Sequence, residues 1–337
     1  MLLSHPVCRL IARLTFAVAV CLMLPLATRA AEESAESAAP AAAETEPADA
    51  TQAVLLRYQF RPGQFVHYQV DSKSKLTLQA KEQVQTLVEE RSTRKHYRVV
   101  SVSDDGTAVL EPVIDHVLME AHADDHDPVV FDSDSSEPVP TQFTTVSKSV
   151  GRVLVRVRYS PRGEVDEVIR VTADRDISED DAETHKFLIA FPEQAIKPGD
   201  TWDDDFTVKV SVSGEFKKPL YKSVTIRRRY TLDSVKDGLA RISFSTYPLS
   251  VDRDPQIQMQ LVQRSLSGEV DFDLNAGVIR KWSSSGSGQV FNPFGPSSSA
   301  QASSSNVERL VTTARPRKRG PIGPQLPGAA AAPGAGD

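Results

Sequence analysis

The chain has 337 residues, with 39 Lys and Arg against 45 Asp and Glu, a formal net charge of −6, and only two cysteines. That balance gives no electrostatic reason to expect a nucleic-acid partner, and the length is enough for an ordinary buried core without disulfide staples. Both cysteines, Cys8 and Cys21, fall in the first 21 residues, so thiol chemistry is not expected of the remainder.

The N-terminus reads as a secretory signal. His5, Arg9 and Arg13 form a basic region, an apolar stretch runs from Leu14 to Leu26, and Thr28-Arg29-Ala30 places small residues for cleavage after Ala30. The apolar run is shorter than the roughly 20 residues of a bilayer span, and no later segment approaches that length. Val18-Ala19-Val20-Cys21 offers a rival reading as a lipid-attachment site. Val20 is bulkier than that chemistry favours, and apolar sequence continues past the cysteine. The expectation is an exported protein, periplasmic or extracellular, with no transmembrane segment in the mature chain.

Residues 31–53 are an acidic stretch of Ala, Glu, Ser, Thr and Pro without aromatic or basic side chains, expected to be a disordered linker. From 54 to 290 the dominant period is two, which marks strands with one packed and one wet face. Val153, Val155, Val157 and Tyr159 alternate with residues that include Arg156 and Arg158. Val208, Val210 and Val212 alternate with polar positions, and so do Ile257, Met259 and Leu261 with Gln256, Gln258 and Gln260. Val224, Ile226, Tyr230 and Leu232 share a face on which Arg228 is the exception. Half-wet sheets are usually antiparallel.

The chain also repeats itself. Arg61-Pro62-Gly63-Gln64 and Lys197-Pro198-Gly199-Asp200 each precede a strand, as type II turns do. Tyr97 to Ala108 matches Tyr230 to Ala240, each a strand, an Asp-Gly turn and a return strand. Gly151 to Val165, turning at Pro161-Arg162-Gly163, matches Gly268 to Ile279, turning at Asn275-Ala276-Gly277. The expected fold is therefore mainly β: an internally duplicated antiparallel meander forming a large curved sheet or incomplete barrel. Its halves are 54–177 and 195–290. Between them, over 178–192, Ser178-Glu179-Asp180-Asp181 and the stripe Phe187, Leu188 and Phe191 suggest one short helix. The Ser/Gly-rich run 283–305 looks like low-complexity sequence. Residues 291–337 read as a mostly disordered tail with a basic cluster at Arg315, Arg317, Lys318 and Arg319, and Val307 to Thr313 as one last short strand.

Pro62-Gly63, Tyr97 to Gly106, Phe131-Asp132-Ser133-Asp134, Gly163, Phe191-Pro192 and Gly199-Asp200-Thr201-Trp202 together resemble a family of uncharacterised exported bacterial proteins. The resemblance spans residues 54 to about 290 and implies architecture, not chemistry. At the level of architecture alone, the expected fold is similar to the periplasmic lipoprotein carriers, whose incomplete barrel holds an acyl chain around a helical plug.

Candidate chemistry is thin. His116, His122, Asp124, Asp125, His126 and Asp127 suit a divalent metal by residue type. However, Pro128 follows at once and the metalloprotease glutamate is absent, so a polar loop accounts for the cluster and no metal is expected. Asp132 to Glu137 opens like a calcium loop but lacks its glycine and ends on Phe143. Asp203-Asp204-Asp205 reads as a solvated strand start. His67, His96 and His185 stand isolated. No nucleophile elbow, phosphate-cradling loop or mature thiol is present, so no catalytic residue and no cofactor is assigned. The expected function is non-catalytic: binding of an apolar or amphipathic ligand, a lipid or other envelope component, in the curved sheet. A structural or protein-interaction module and a metal-dependent hydrolase are the alternatives.

Overall fold

A computed structural model describes residues 52–124, 126–171, 187–212, 220–250 and 252–312. The signal sequence with Ala30, nearly all of the acidic linker, the capping residues of the expected 178–192 helix, Asp125 and His185, and the basic tail cluster lie outside them.

The chain forms one antiparallel sheet. In the first half β1 (Phe65–Ala80), β2 (Gln83–Val102), β3 (Ala108–Ala123), β5 (Val155–Tyr159) and β6 (Val165–Arg170) follow one another, with short β4 (Val129–Asp132) also on β3. In the second half β7 (Thr201–Val212), β8 (Leu220–Lys236), β9 (Leu239–Pro248), β10 (Ser267–Asp273), β11 (Val278–Phe291) and β12 (Ser298–Val311) do the same. The halves join where β1 pairs with β12, and the outer strands β6 and β7 do not pair with each other. The sheet is large and curved but not closed.

The duplication read from the sequence is visible bond by bond. Gly63 at φ +77° donates its N–H to Val99 O, and Val99 donates back to Gln64 O. Gly199 at φ +95° donates to Leu232 O, and Leu232 donates back to Asp200 O. The pairing slips by one residue after Val99 in β2 and after Leu232 in β8, at equivalent places.

Two sequence readings are corrected. The serine-rich run after 283 is not low-complexity linker, because it builds β11 and β12, whose inward residues Ala300, Ala302, Ser304 and Asn306 are buried at the sheet's centre. Small polar residues resemble unfolded chain in composition, although strand pairing needs only backbone. The Ile257, Met259, Leu261 alternation is not a strand. It belongs to the eight-residue helix α2 (Pro255–Val262), which follows the single-turn helix α1 (Thr144–Ser147) in chain order. Asp254 caps α2 by accepting the Gln256 N–H, and Pro255 sits at the first turn, where its missing N–H costs nothing. Both flanks of α2 are packed, so burial at every second residue arises without a strand. Ile257 and Leu261 face Val208, Val210, Val224 and Ile226, while Met259 faces Leu78, Val290 and Ala300. The glutamines are not a wet face either: Gln260 donates to Ser211 O and accepts from Ser211 N, both at 2.8 Å.

The other end of the hollow is filled by two extended segments, 52–60 and 187–196, bridged at Val54 and Ile196. Phe187 to Pro192 run without helix, and Leu188, Ile189 and Phe191 are buried. One hydrophobic cluster joins them to Val155, Val157 and Tyr159 of β5 and to Tyr230, Ile242 and Phe272 of the second half.

Gly163 shows how close this packing is. At φ +87°, a Cβ would lie 2.3 Å from Ile189 O and 2.6 Å from the Tyr58 ring, whereas at Gly63 a Cβ would meet nothing within 4 Å. We expect Gly63→Ala to cost about 1–2 kcal/mol for the left-handed backbone alone. Gly163→Ala should cost about 3 kcal/mol or more, because overpacking adds to the same strain. Equilibrium denaturation of the two variants measures the difference.

Candidate functional site

Along the central strands the inward positions change character midway. Below lies the aromatic cluster; above, Leu76, Leu78, Val290 and Ala300 lie against α2. Between them runs a polar belt. Ser284 of β11 and Asn306 of β12 are cross-strand partners, each 1% exposed. Two residues away, Trp282 faces inward opposite Glu308. Among the described residues, Trp282 Nε1, Ser284 Oγ and both amide atoms of Asn306 are buried without a hydrogen-bond partner, as is the Tyr97 hydroxyl. Leaving such a group unpaired costs about 1–3 kcal/mol, and native structures rarely collect several in one place.

Charges flank the belt on both sides. Lys95 Nζ lies 3.0 Å from Glu308 Oε2 and over the Tyr68 and Tyr97 rings. Arg228, the exception on the apolar face of β8, is buried; it lies over the Phe206, Phe244 and Trp282 rings at 5.3 to 5.7 Å. Its Nε donates to Thr246 Oγ1 at 3.2 Å, and Asp204 stands opposite it on β7. Arg91 and Glu89 share the inward face of β2; burial pushes the Glu89 carboxyl up and the Arg91 guanidinium down. Burial also lifts the Tyr68 and Tyr97 hydroxyls well above the ordinary tyrosine range, so both stay protonated. Three cations and three carboxylates thus border a row of neutral hydrogen-bonding groups.

Geometry explains how these groups come so close to α2. Gly286 and Gly288 continue the inward face of β11 past Ser284. A Cβ at Gly286 would lie 2.5 Å from Ser265 O, and one at Gly288 would lie 2.2 Å from Val262 Cγ2. The Ser285-Gly286-Ser287-Gly288 run is the notch in which the end of α2 rests.

The expected metal candidates are dispersed. His116 Nε2 meets Asp132 Oδ1 at 2.8 Å and Asp134 Oδ2 at 3.6 Å. His122 instead pairs in register with Val88, and His126 Nδ1 lies 3.0 Å from the Ala123 carbonyl. The calcium-like Asp132 accepts the Asp134 N–H in a local turn. In the aspartate triplet, Asp203 and Asp205 form cross-strand pairs with Arg229 and Arg227, which hold both carboxyls below their usual range. His67 and His96 are not isolated, because they are register partners on β1 and β2.

No family model matches the chain, and no curated protein matches it. Among solved structures, one of lipid–protein interactions in lipovitellin aligns with a TM-score of 0.42 and 13% identity, over 80% of this chain and 27% of that one. The chain thus spans about a quarter of the lipovitellin chain. The Pseudomonas aeruginosa MucA/MucB complex aligns with a TM-score of 0.10 and 8% identity, over 72% of this chain and 89% of that one. Similarity at these scores carries no functional argument, and the class is defined by the fold: an open, duplicated β-sheet with a helical plug and a buried polar belt.

Asn306→Leu removes two unpartnered polar atoms from the belt while keeping the branched heavy-atom skeleton. We expect it to stabilise the ligand-free protein by about 1 kcal/mol, read as a raised denaturation midpoint.

Proposed function

We propose that the protein is a non-catalytic, exported binding protein that takes an amphipathic ligand on the concave face of its sheet. The observation that carries this reading is the group of unpartnered donors and acceptors at Trp282, Ser284 and Asn306, enclosed between two apolar clusters. The belt holds the ligand's polar part, and its balanced charges favour a neutral or zwitterionic head. The tail lies where Ile257, Met259 and Leu261 of α2 now sit, between the clusters of β7–β8 and of β1, β11 and β12. Access therefore requires α2 to lift. Its hold on the sheet is short, eight residues and one glutamine clamp, which suits an element at the low-stability end of the fold. The signal-like N-terminus supports work in the cell envelope.

The experiment uses Trp282 as reporter. In a Trp202→Phe background, single-chain fatty acids and lysophospholipids are titrated while Trp282 emission is followed, and solvent extracts of natively expressed protein are analysed by mass spectrometry. A stoichiometric amphiphile, with saturable emission change weakened by about tenfold or more in Asn306→Leu, is expected. Empty extracts together with flat titrations would remove the reading.

The alternative, an interaction module, is favoured by one feature. Among the described residues, edge strand β4 pairs with β3 alone and carries Val129 and Val130 at 38% and 48% exposure, a surface on which a partner's strand can pair.

A further inference from the structure

The convex face of the same strands carries a second constellation. His67 of β1 and His96 of β2 are directly opposite, with ring centroids 5.3 Å apart at 47°. On β3 the pairing slips between Ile114 and His116, so Asp115 is an extra, bulged residue. Bulges re-aim side chains, and this one brings Asp115 Oδ2 to 2.7 Å from His96 Nδ1. All three side chains are half-buried, and one ligand atom from each lies within 4.8 Å of the others. The Phe65 ring covers the pair, with centroids 6.2 Å from His67 and 5.4 Å from His96.

We propose that His67, His96 and Asp115 bind a divalent ion of the zinc class. Two imidazoles and one carboxylate are a ligand set that zinc takes, with a water in the fourth position. A tetrahedral ion with bonds of about 2.0–2.1 Å holds its ligand atoms about 3.3 Å apart, so side-chain rotation closes the observed spread without moving the strands. The strands are long and centrally paired, which fixes the two histidines. The neighbouring trio His116, Asp132 and Asp134 is a poorer site, because Arg94 already places a cation 3.3 Å from Asp134. The site lies on the face opposite the polar belt and stands or falls independently of it.

The full chain carrying Cys8→Ser and Cys21→Ser, which removes competing thiols, is dialysed against micromolar zinc and titrated with cobalt as a spectroscopic stand-in. One equivalent of metal, with the visible absorption of tetrahedral cobalt, is expected. His96→Ala and His67→Gln should each weaken binding by about tenfold or more, while the His122→Ala, His126→Ala double variant binds as the parent does. Thermal melts without metal confirm that the variants fold. No uptake by the parent protein, or affinity unchanged in both folded histidine variants, would overturn the assignment.

Discussion

The two halves of the sheet share one strand pairing, β1 with β12, and an open sheet joined at its middle has two ends with nothing to hold them. What holds them is the extended pair 52–60 and 187–196, with Tyr58 at its centre. The Tyr58 N–H donates to Pro161 O in the β5–β6 turn, and its hydroxyl accepts the Ile189 N–H at 2.9 Å. Its ring meets Phe60, Phe191 and Phe272 at 5.1 to 5.7 Å. Backbone bonds from Gln59 to Gly277 and from Phe191 to Arg162 tie the same segments to the equivalent hairpin turns of both halves. Each fully buried side chain of this kind contributes about 1.5–3 kcal/mol. The cluster therefore sets the curvature on which everything on the concave face depends.

With that end closed by aromatic packing and the other by α2, the belt between them is a choice against stability. Alanine at 284 and leucine at 306 would occupy these positions without unpaired donors and acceptors. Apolar substitution of a partly satisfied polar network is commonly neutral or favourable. Departures of this kind, where every other level of the structure agrees with the fold, are where function is usually placed. Trp282 lies just below Ser284 and Gly286 just above it, and beyond the buried Ser304 the inward residues of β12 are Ala302 and Ala300.

Much of the scaffold was legible because turns carry their own chemistry. Pro62-Gly63 and Pro198-Gly199, with the Asp-Gly pairs at Asp105-Gly106 and Asp237-Gly238, report left-handed backbone that few other sequences tolerate. Their order along the chain disclosed the duplication. The belt was half legible. Arg228 stands out in the sequence as a cation on an apolar strand face, but its meaning depends on Trp282 and Asn306, which lie on strands brought together by tertiary pairing. The serine-rich part of β12 was illegible, because its stability comes from two backbone neighbours and not from its own side chains, whereas the strand's end from Val307 could be read as a strand. The His67–His96 pair was hidden for a related reason: 29 positions apart in the chain, the two become neighbours only through the register of β1 on β2.

Register also explains how one set of strands presents two unlike faces. In β2, Lys95 and Tyr97 point into the hollow while His96 between them points out, and β1 alternates in the same way through Val66, His67 and Tyr68. A one-residue slip would exchange the faces, burying imidazoles and exposing tyrosines. The lower cluster prevents the slip, since the Tyr68 hydroxyl donates to Ile279 O on β11, two strands away in the sheet, and Val66 and Tyr97 pack on Val278. The bulge at Asp115 breaks the alternation of β3 beyond the point where its pairing with β2 is already set at Leu110 and Pro112. Rigid central strands thus carry both constellations, and each is positioned by packing that belongs to the other face.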